Sequence, residues 1–169
     1  MDAIEAIRTR RSIRSYTSQL VPDELVKRLL EAAMSAPSAG NEQAWQFVVI
    51  TDRSVLDDIP KLHPHSDMLK QATLAILVCG DLQQARHSNY WIQDCSAATQ
   101  NLLLAAHASG LGAVWLGVYP LEDRVAKMRM LLGIPESIVP MALISIGYPA
   151  EHIEPAYRYD QLKVHTNHW

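Results

Sequence analysis

The sequence predicts a single domain that mixes α-helices with β-strands, on three observations. Apolar residues make up 49% and charged residues 20% of the 169 positions, a globular balance with enough chain to bury a sizeable core. Four short apolar runs of strand length recur, separated by segments with helical spacing. No Ser/Gly-rich linker, repeat or low-complexity tract divides the chain, so positions 1–169 read as one unit.

A short helix is predicted over Asp2–Thr9. Pro22-Asp23-Glu24 opens the next, because proline and acids suit a first turn whose N–H groups lack partners. Leu25, Leu29, Ala32 and Ala33 form its apolar stripe, and Pro37 ends it. Gln46–Thr51 reads as a strand and Asp52–Lys61 as a short helix. Thr73–Gly80 reads as a buried strand, short, apolar and stopped by glycine. A long helix follows over Asn89–Ser109, with Gly110 as its stop. Its apolar residues run nearly all round, which places it in the core or against another subunit. Gly112–Gly117 is the third strand, Leu121–Leu132 a helix, and Val139–Gly147 the fourth strand. The tail, Glu151–Trp169, is polar and aromatic without a period, and is expected to dock, for instance on a partner chain.

Several functions are disfavoured at once. A formal charge of -3 gives no general attraction to nucleic acid or anionic lipid. No apolar run reaches the ~18 residues of a membrane span, and Met1–Glu5 lacks the order of a signal peptide, so a cytoplasmic protein is expected. Gly110-Leu111-Gly112 lacks a dinucleotide fingerprint's third glycine and runs from helix into strand, the reverse of what a pyrophosphate site needs. There is no P-loop and no GxSxG elbow. Cys79 and Cys95 read as buried thiols. His63-Pro64-His65 and His165–His168 read as solvated histidines, and no metal is expected.

One stretch stands apart: Thr9-Arg10-Arg11-Ser12-Ile13-Arg14-Ser15-Tyr16. Guanidinium groups present forked donors to phosphate, and Ser12 adds a hydroxyl. The residues alone are compatible with a solvated basic turn and with an anion site. A second stretch, Ser35-Ala36-Pro37-Ser38-Ala39-Gly40-Asn41-Glu42-Gln43-Ala44-Trp45, has small residues where a flat ligand can approach the backbone. Taken by itself it reads better as a plain helix-to-strand connection.

Together these segments resemble the nitroreductase family of flavin enzymes. The likeness spans nearly the whole chain: RRSIRSY, then PSAGNEQAW leading into QFVVI, then MLKQATLAILVCGD, then QDCSAATQNLLLAAHASGLGAVWLG, and finally the tail YRYDQLKVHTNHW. The resemblance implies an α+β fold with a central mixed or antiparallel sheet flanked by helices. It also implies an intertwined homodimer holding FMN at the subunit interface. By the same resemblance Arg10, Arg11, Ser12 and Arg14 meet the flavin, its ribityl chain and its phosphate, and Arg158 is a C-terminal phosphate ligand. Pro37, Ser38, Ala39, Asn41 and Gln43 reach the same FMN from the other subunit, and Trp115, Leu116 and Gly117 run along the flavin ring, with backbone N–H groups near N5.

Three positions depart from the family pattern. Ala44 stands where proline is common, the link from the second strand to the long helix is short, and Gly117 replaces an acidic residue. A more open pocket is therefore expected. The implied activity is hydride transfer from NADH or NADPH through FMN to nitroaromatics, quinones or flavins by a ping-pong scheme, with Arg14 or Arg10 tuning the flavin potential. The other readings are a specialised flavin enzyme, such as a reductive dehalogenase or a flavin-degrading relative, and a flavin-binding sensor or storage protein without turnover.

Overall fold

The computed structural model describes residues 1–87 and 89–169. Five α-helices and four strands alternate as α1 (Ala3–Thr9), α2 (Asp23–Met34), β1 (Trp45–Ile50), α3 (Arg53–Leu62), β2 (Leu74–Asp81), α4 (Trp91–Ala108), β3 (Gly112–Gly117), α5 (Glu122–Leu132) and β4 (Ile138–Gly147). The strands form one sheet in the order β1-β2-β4-β3, and every neighbouring pair is antiparallel. The α+β expectation therefore holds, and the sheet is antiparallel throughout rather than mixed.

β2 explains why the sheet is central. Its residues are all buried up to Gly80, and they alternate between two cores. Leu74, Ile76 and Val78 pack with α2 and α4, through Leu29, Ala33, Ala98 and Leu102. Ala75, Leu77 and Cys79 face the other way, toward Leu56 and Ile59 of α3 and Met128 of α5. A strand covered on both faces needs a continuous apolar run, and TLAILVCG supplies one. Each fully buried Leu or Ile here contributes about 1.5–3 kcal/mol. Cys79 and Cys95 lie in different cores, one on each side of the sheet, and burial pushes both thiols up to about 12.

Local signals set the helix ends. Asp2 caps α1 by accepting from Glu5 N–H at 2.9 Å, and Asp52 caps α3 by accepting from Ser54 N–H at 2.8 Å. α4 buries Trp91, Cys95, Ala98, Leu102 and Ala106, while Leu104 on the opposite face stays half-buried and Ala108 is exposed. Its all-round apolarity thus serves the core on one side and leaves the other uncovered. Trp91 packs over Gly80, where an added Cβ would sit 2.2 Å from the indole.

One sequence expectation is overturned. His63 is not solvated: it is 1% exposed, against His65, which lies in the open. His63 follows the last turn of α3, and the chain folds it inward onto the end of β3. His165 and His168 in the tail are exposed. No helix among the described residues is long and apolar enough to cross a membrane.

Candidate cofactor site

β3 is an edge strand, and the arginine-rich segment lies along its outer side. Ser12 bridges Ala113 in a parallel sense, and Ile13 N–H donates to the Ala113 carbonyl at 3.1 Å. The approach is close because position 112 is glycine: a Cβ there would meet Ile13 Cγ2 at 2.6 Å. Farther along, the Tyr16 ring covers Gly147, its hydroxyl lies 2.6 Å from the Ile13 carbonyl, and burial raises its pKa. The Glu151 carboxylate accepts from the backbone N–H of Arg14 and of Ser15, and Arg11 donates to the Glu154 carbonyl. These contacts fix the segment and bring the start of the tail beside it.

The outcome is a concentration of positive charge. Arg10, Arg11 and Arg158, with Arg8, Ile7 and Ala156, line a cavity of about 210 Å³. Burial, then the charges of Arg158 and Arg11, hold the Arg10 guanidinium below its ordinary value. None of these four arginines forms an ion pair with a carboxylate among the described residues. Like charges gathered without a counter-ion are destabilising until an anion joins them, and a phosphate ester has the charge and acceptor geometry to do so. Arg14 is separate: its side chain is exposed and does not line this cavity.

β3 offers a second element. Because Ile13 pairs with the Ala113 carbonyl, alternation turns the backbone polar groups of Ala113, Trp115 and Gly117 outward, while Leu116 and Val118 face β4. Past Ile13, no strand among the described residues covers that edge. Trp115 is half-buried, Leu116 buried and Gly117 exposed. The Gly117 carbonyl accepts from His63 Nε2 at 2.9 Å and from Arg124 at 2.8 Å. Outward N–H groups on an accessible edge can meet the acceptor nitrogen of a flat ring.

The loop between α2 and β1 has a built geometry as well. Gly40, Asn41 and Gln43 all take left-handed φ values, of 57°, 55° and 53°. The non-glycine turns cost about 1–2 kcal/mol each, offset by bonds inside the loop. Gln43 N–H donates to Ser38 Oγ at 3.0 Å, and Gln43 Nε2 donates to Asn41 Oδ1 at 3.1 Å. Ala39 N–H donates to Asp94 Oδ1 at 3.0 Å, which ties the loop to the first turn of α4. Pro37, Asn41 and Gln43 are exposed, and Ser38 and Ala39 half-buried.

The arginines and this loop do not meet in one chain. Thr9, beside Arg10, contacts His107 in the last turn of α4 at 2.8 Å, whereas the loop contacts Asp94 in the first turn. At 1.5 Å per residue the two attachment points are about 20 Å apart along the helix. The Thr9 hydroxyl gives its only proton to the Glu5 carbonyl, so His107 is the donor in their contact. Burial, then Arg10, depress the His107 pKa and keep the ring neutral.

Sequence reasoning missed Asp94, His107, Glu151, His63 and Arg124. Asp94 carried a signal, since it is the one acid in α4, and its Oδ2 is buried without a partner among the described residues. His107, Glu151 and His63 act through partners far away in the chain, and Arg124 through Gly117 seven residues before it; no motif in the sequence marks any of them. Among the described residues no three His, Cys, Asp or Glu side chains converge as a metal site would require.

Known proteins share this sequence pattern and this fold. A model of the nitroreductase family matches residues 7–65 and 58–148. A protein of Methanothermobacter thermautotrophicus, provisionally named NADH dehydrogenase/NAD(P)H nitroreductase, is 50% identical over 100% of this chain and 88% of its own. Among solved structures, a provisionally named NADH dehydrogenase/NAD(P)H nitroreductase of Parabacteroides distasonis superposes with a TM-score of 0.95 at 43% identity, covering 98% of both chains. A provisionally named nitroreductase of Desulfovibrio desulfuricans, solved with FMN, superposes at 0.86 with 34% identity, over 100% of this chain and 99% of that one.

Proposed function

The chain belongs to the nitroreductase family, and from that premise we propose that it is an FMN-dependent oxidoreductase that passes hydride equivalents from NADH or NADPH to electron-poor acceptors. The observation that carries the reading is the unpaired cluster of Arg10, Arg11 and Arg158 beside the open edge of β3. The donor set fits FMN: forked cations for the phosphate at one end, outward backbone N–H groups for the ring at the other. When bound, FMN supplies the redox chemistry, taking hydride from the nicotinamide and handing electrons to a nitroaromatic, quinone or flavin that enters the same face in turn.

The protein's own residues bind, orient and shield. Arg10, Arg11 and Arg158 neutralise the phosphate, and Ser12 offers a further hydroxyl. Trp115, Leu116 and Gly117 form a floor along β3. Arg14, just beyond the phosphate cluster, contributes positive charge that favours the electron-rich form of the ring. The short link between β2 and α4 leaves the face of the site open, which suits acceptors of varied shape.

The site is completed by a second copy of the chain. Pro37, Ser38, Ala39, Asn41 and Gln43 lie at the far end of α4 from the arginines, so one FMN touches both sets only across a two-fold interface. The uncovered apolar surface supports this: Ile4 and Ile7 of α1 are more than half exposed, and Leu104, Ala105 and Ala108 of α4 line a groove beside them. Tyr157 and Trp169 in the tail are fully exposed in the single chain, at 104% and 101%. Anaerobic titration of the FMN-loaded protein with NADH and with NADPH tests the reading. Bleaching of the flavin absorbance by either, and its return on adding a quinone, is the expected result. A flavin that neither nucleotide reduces would instead favour the storage or sensor role.

A further inference from the structure

We infer that His63 and Arg124 are positioning residues for the redox step: by holding the Gly117 carbonyl between them, they aim the Gly117 N–H at the flavin ring. The inference rests on the functional reading above and concerns residues that touch neither phosphate nor nicotinamide in it.

Gly117 has every reason to be loose. It is exposed, it ends an edge strand, and among the described residues no atom beyond its own and its two chain neighbours' lies within 4 Å of where its Cβ would be. Glycine in such a place samples far more backbone conformations than any other residue. Yet both lone pairs of its carbonyl are occupied, by side chains from two separate elements. His63 arrives from the end of α3 at 2.9 Å and Arg124 from the first turn of α5 at 2.8 Å. His63 Nδ1 lies 3.3 Å from the His65 N–H and accepts from it, which leaves the ring proton on Nε2, facing Gly117. The imidazole is buried, so it cannot swing away without opening the core.

A histidine is an expensive choice for that position if packing were its only task. Burial lowers its pKa, so the ring stays neutral, and the His65 ring packs edge-on against it at a centroid distance of 6.3 Å. A leucine would fill the volume without a polar atom to satisfy. The histidine instead anchors the one strand residue that packing leaves free. Alternation puts the Gly117 carbonyl and N–H on the same outward edge. β4 holds the Leu116–Gly117 peptide plane that carries the N–H, and the cap holds the next plane, so together they fix both dihedrals of the glycine. The cap also masks the carbonyl's negative end with the Arg124 cation, at the place where a ring gaining electrons would be repelled by it.

Three variants, His63→Leu, His63→Gln and Arg124→Leu, test this in the full-length dimer. Amide 15N relaxation on the flavin-free protein reads the anchor directly. The Gly117 order parameter should fall from about 0.85 to below about 0.6 in His63→Leu and hold in His63→Gln, whose Nε2 donates at similar reach. With FMN bound, His63→Leu should slow flavin reduction by NADH about tenfold or more, as small misplacements do, while FMN affinity changes less than about twofold because the phosphate end is intact. His63→Gln should recover the rate. An order parameter and rate unchanged in His63→Leu overturn the inference, and so does a glutamine variant as impaired as the leucine. If His63→Leu does not fold, Arg124→Leu decides alone: a lowered flavin potential with a more mobile Gly117 supports the inference, and wild-type values for both overturn it. A wild type that takes up no FMN brings down the parent reading and this one with it. Normal wild-type reduction beside unaltered variants brings down this inference alone.

Discussion

Arg10 is where the chemistry of single residues is sharpest, because it is partly buried next to Arg11 and Arg158 with no carboxylate paired to it among the described residues. Each charge-assisted hydrogen bond to a phosphate is worth about 1.5–3 kcal/mol, so Arg10→Ala should weaken FMN binding by roughly ten- to a hundredfold in a fluorescence titration. Arg158→Ala should lose less, since that side chain is exposed. Arg14→Ala, outside the cavity, should lower the flavin potential more than it lowers affinity, and equal potentials in variant and wild type would remove its tuning role. The arginines were legible from the sequence because three of them fall within five residues. Glu151 was not, since its contact with the Arg14 N–H joins residues 137 positions apart. His63 and His107 set a pH dependence. Both have pKa values depressed by burial, so the unfolded chain binds their protons more readily than the folded one. Stability from these two is complete above about pH 6.5, the unfolded value, and declines as pH falls below it. Thermal unfolding at pH 7.5 and 5.5 should show that decline, and His107→Gln, which cannot titrate, should show less of it.

Elements meet in this fold at glycines, and two of them make contrasting predictions. At Gly80, a Cβ would collide with Trp91, locking β2 against the start of α4. Gly80→Ala should cost about 1–3 kcal/mol and lower the melting temperature without a specific effect on FMN. At Gly112 the obstacle is Ile13. Gly112→Ala should push the arginine segment off β3, so its FMN affinity should fall well beyond what its lost stability explains. A titration at a temperature where both variants are folded separates the two. The elements themselves were largely readable. β2 announced itself as an unbroken apolar run, and α2 by Pro22 and its acidic first turn. α4 begins at Trp91, two residues after the expected Asn89, because the aromatic ring and not the polar lead-in supplies the first packed turn. Asn41 is of a type that tolerates the left-handed region, but the same turn at Gln43 left no trace in residue type, because bonds within the loop impose it.

At the scale of the whole molecule, the single chain leaves apolar surface uncovered. Its tail was expected to dock, and in one chain Tyr157, Leu162 and Trp169 rest on nothing that buries them. Sequence could mark those residues as too apolar for solvent but could not say what covers them, since a covering surface outside the chain leaves no trace in its order; the proposed second copy is one that fits. Dilution followed by sedimentation should show flavin leaving as dimers dissociate, and removal of residues 156–169 should abolish both association and FMN binding. Monomers that keep their flavin would separate the Pro37–Gln43 loop from the site. The distance that α4 imposes between that loop and the arginines carries a genetic consequence. In the proposed two-chain site each pocket takes half its walls from each chain, so two dead proteins, one mutated at Arg10 and one at the loop, should heal each other when unfolded and refolded together. Random reassortment would return roughly a quarter of the pockets to working order, all of them in the hybrid pairs.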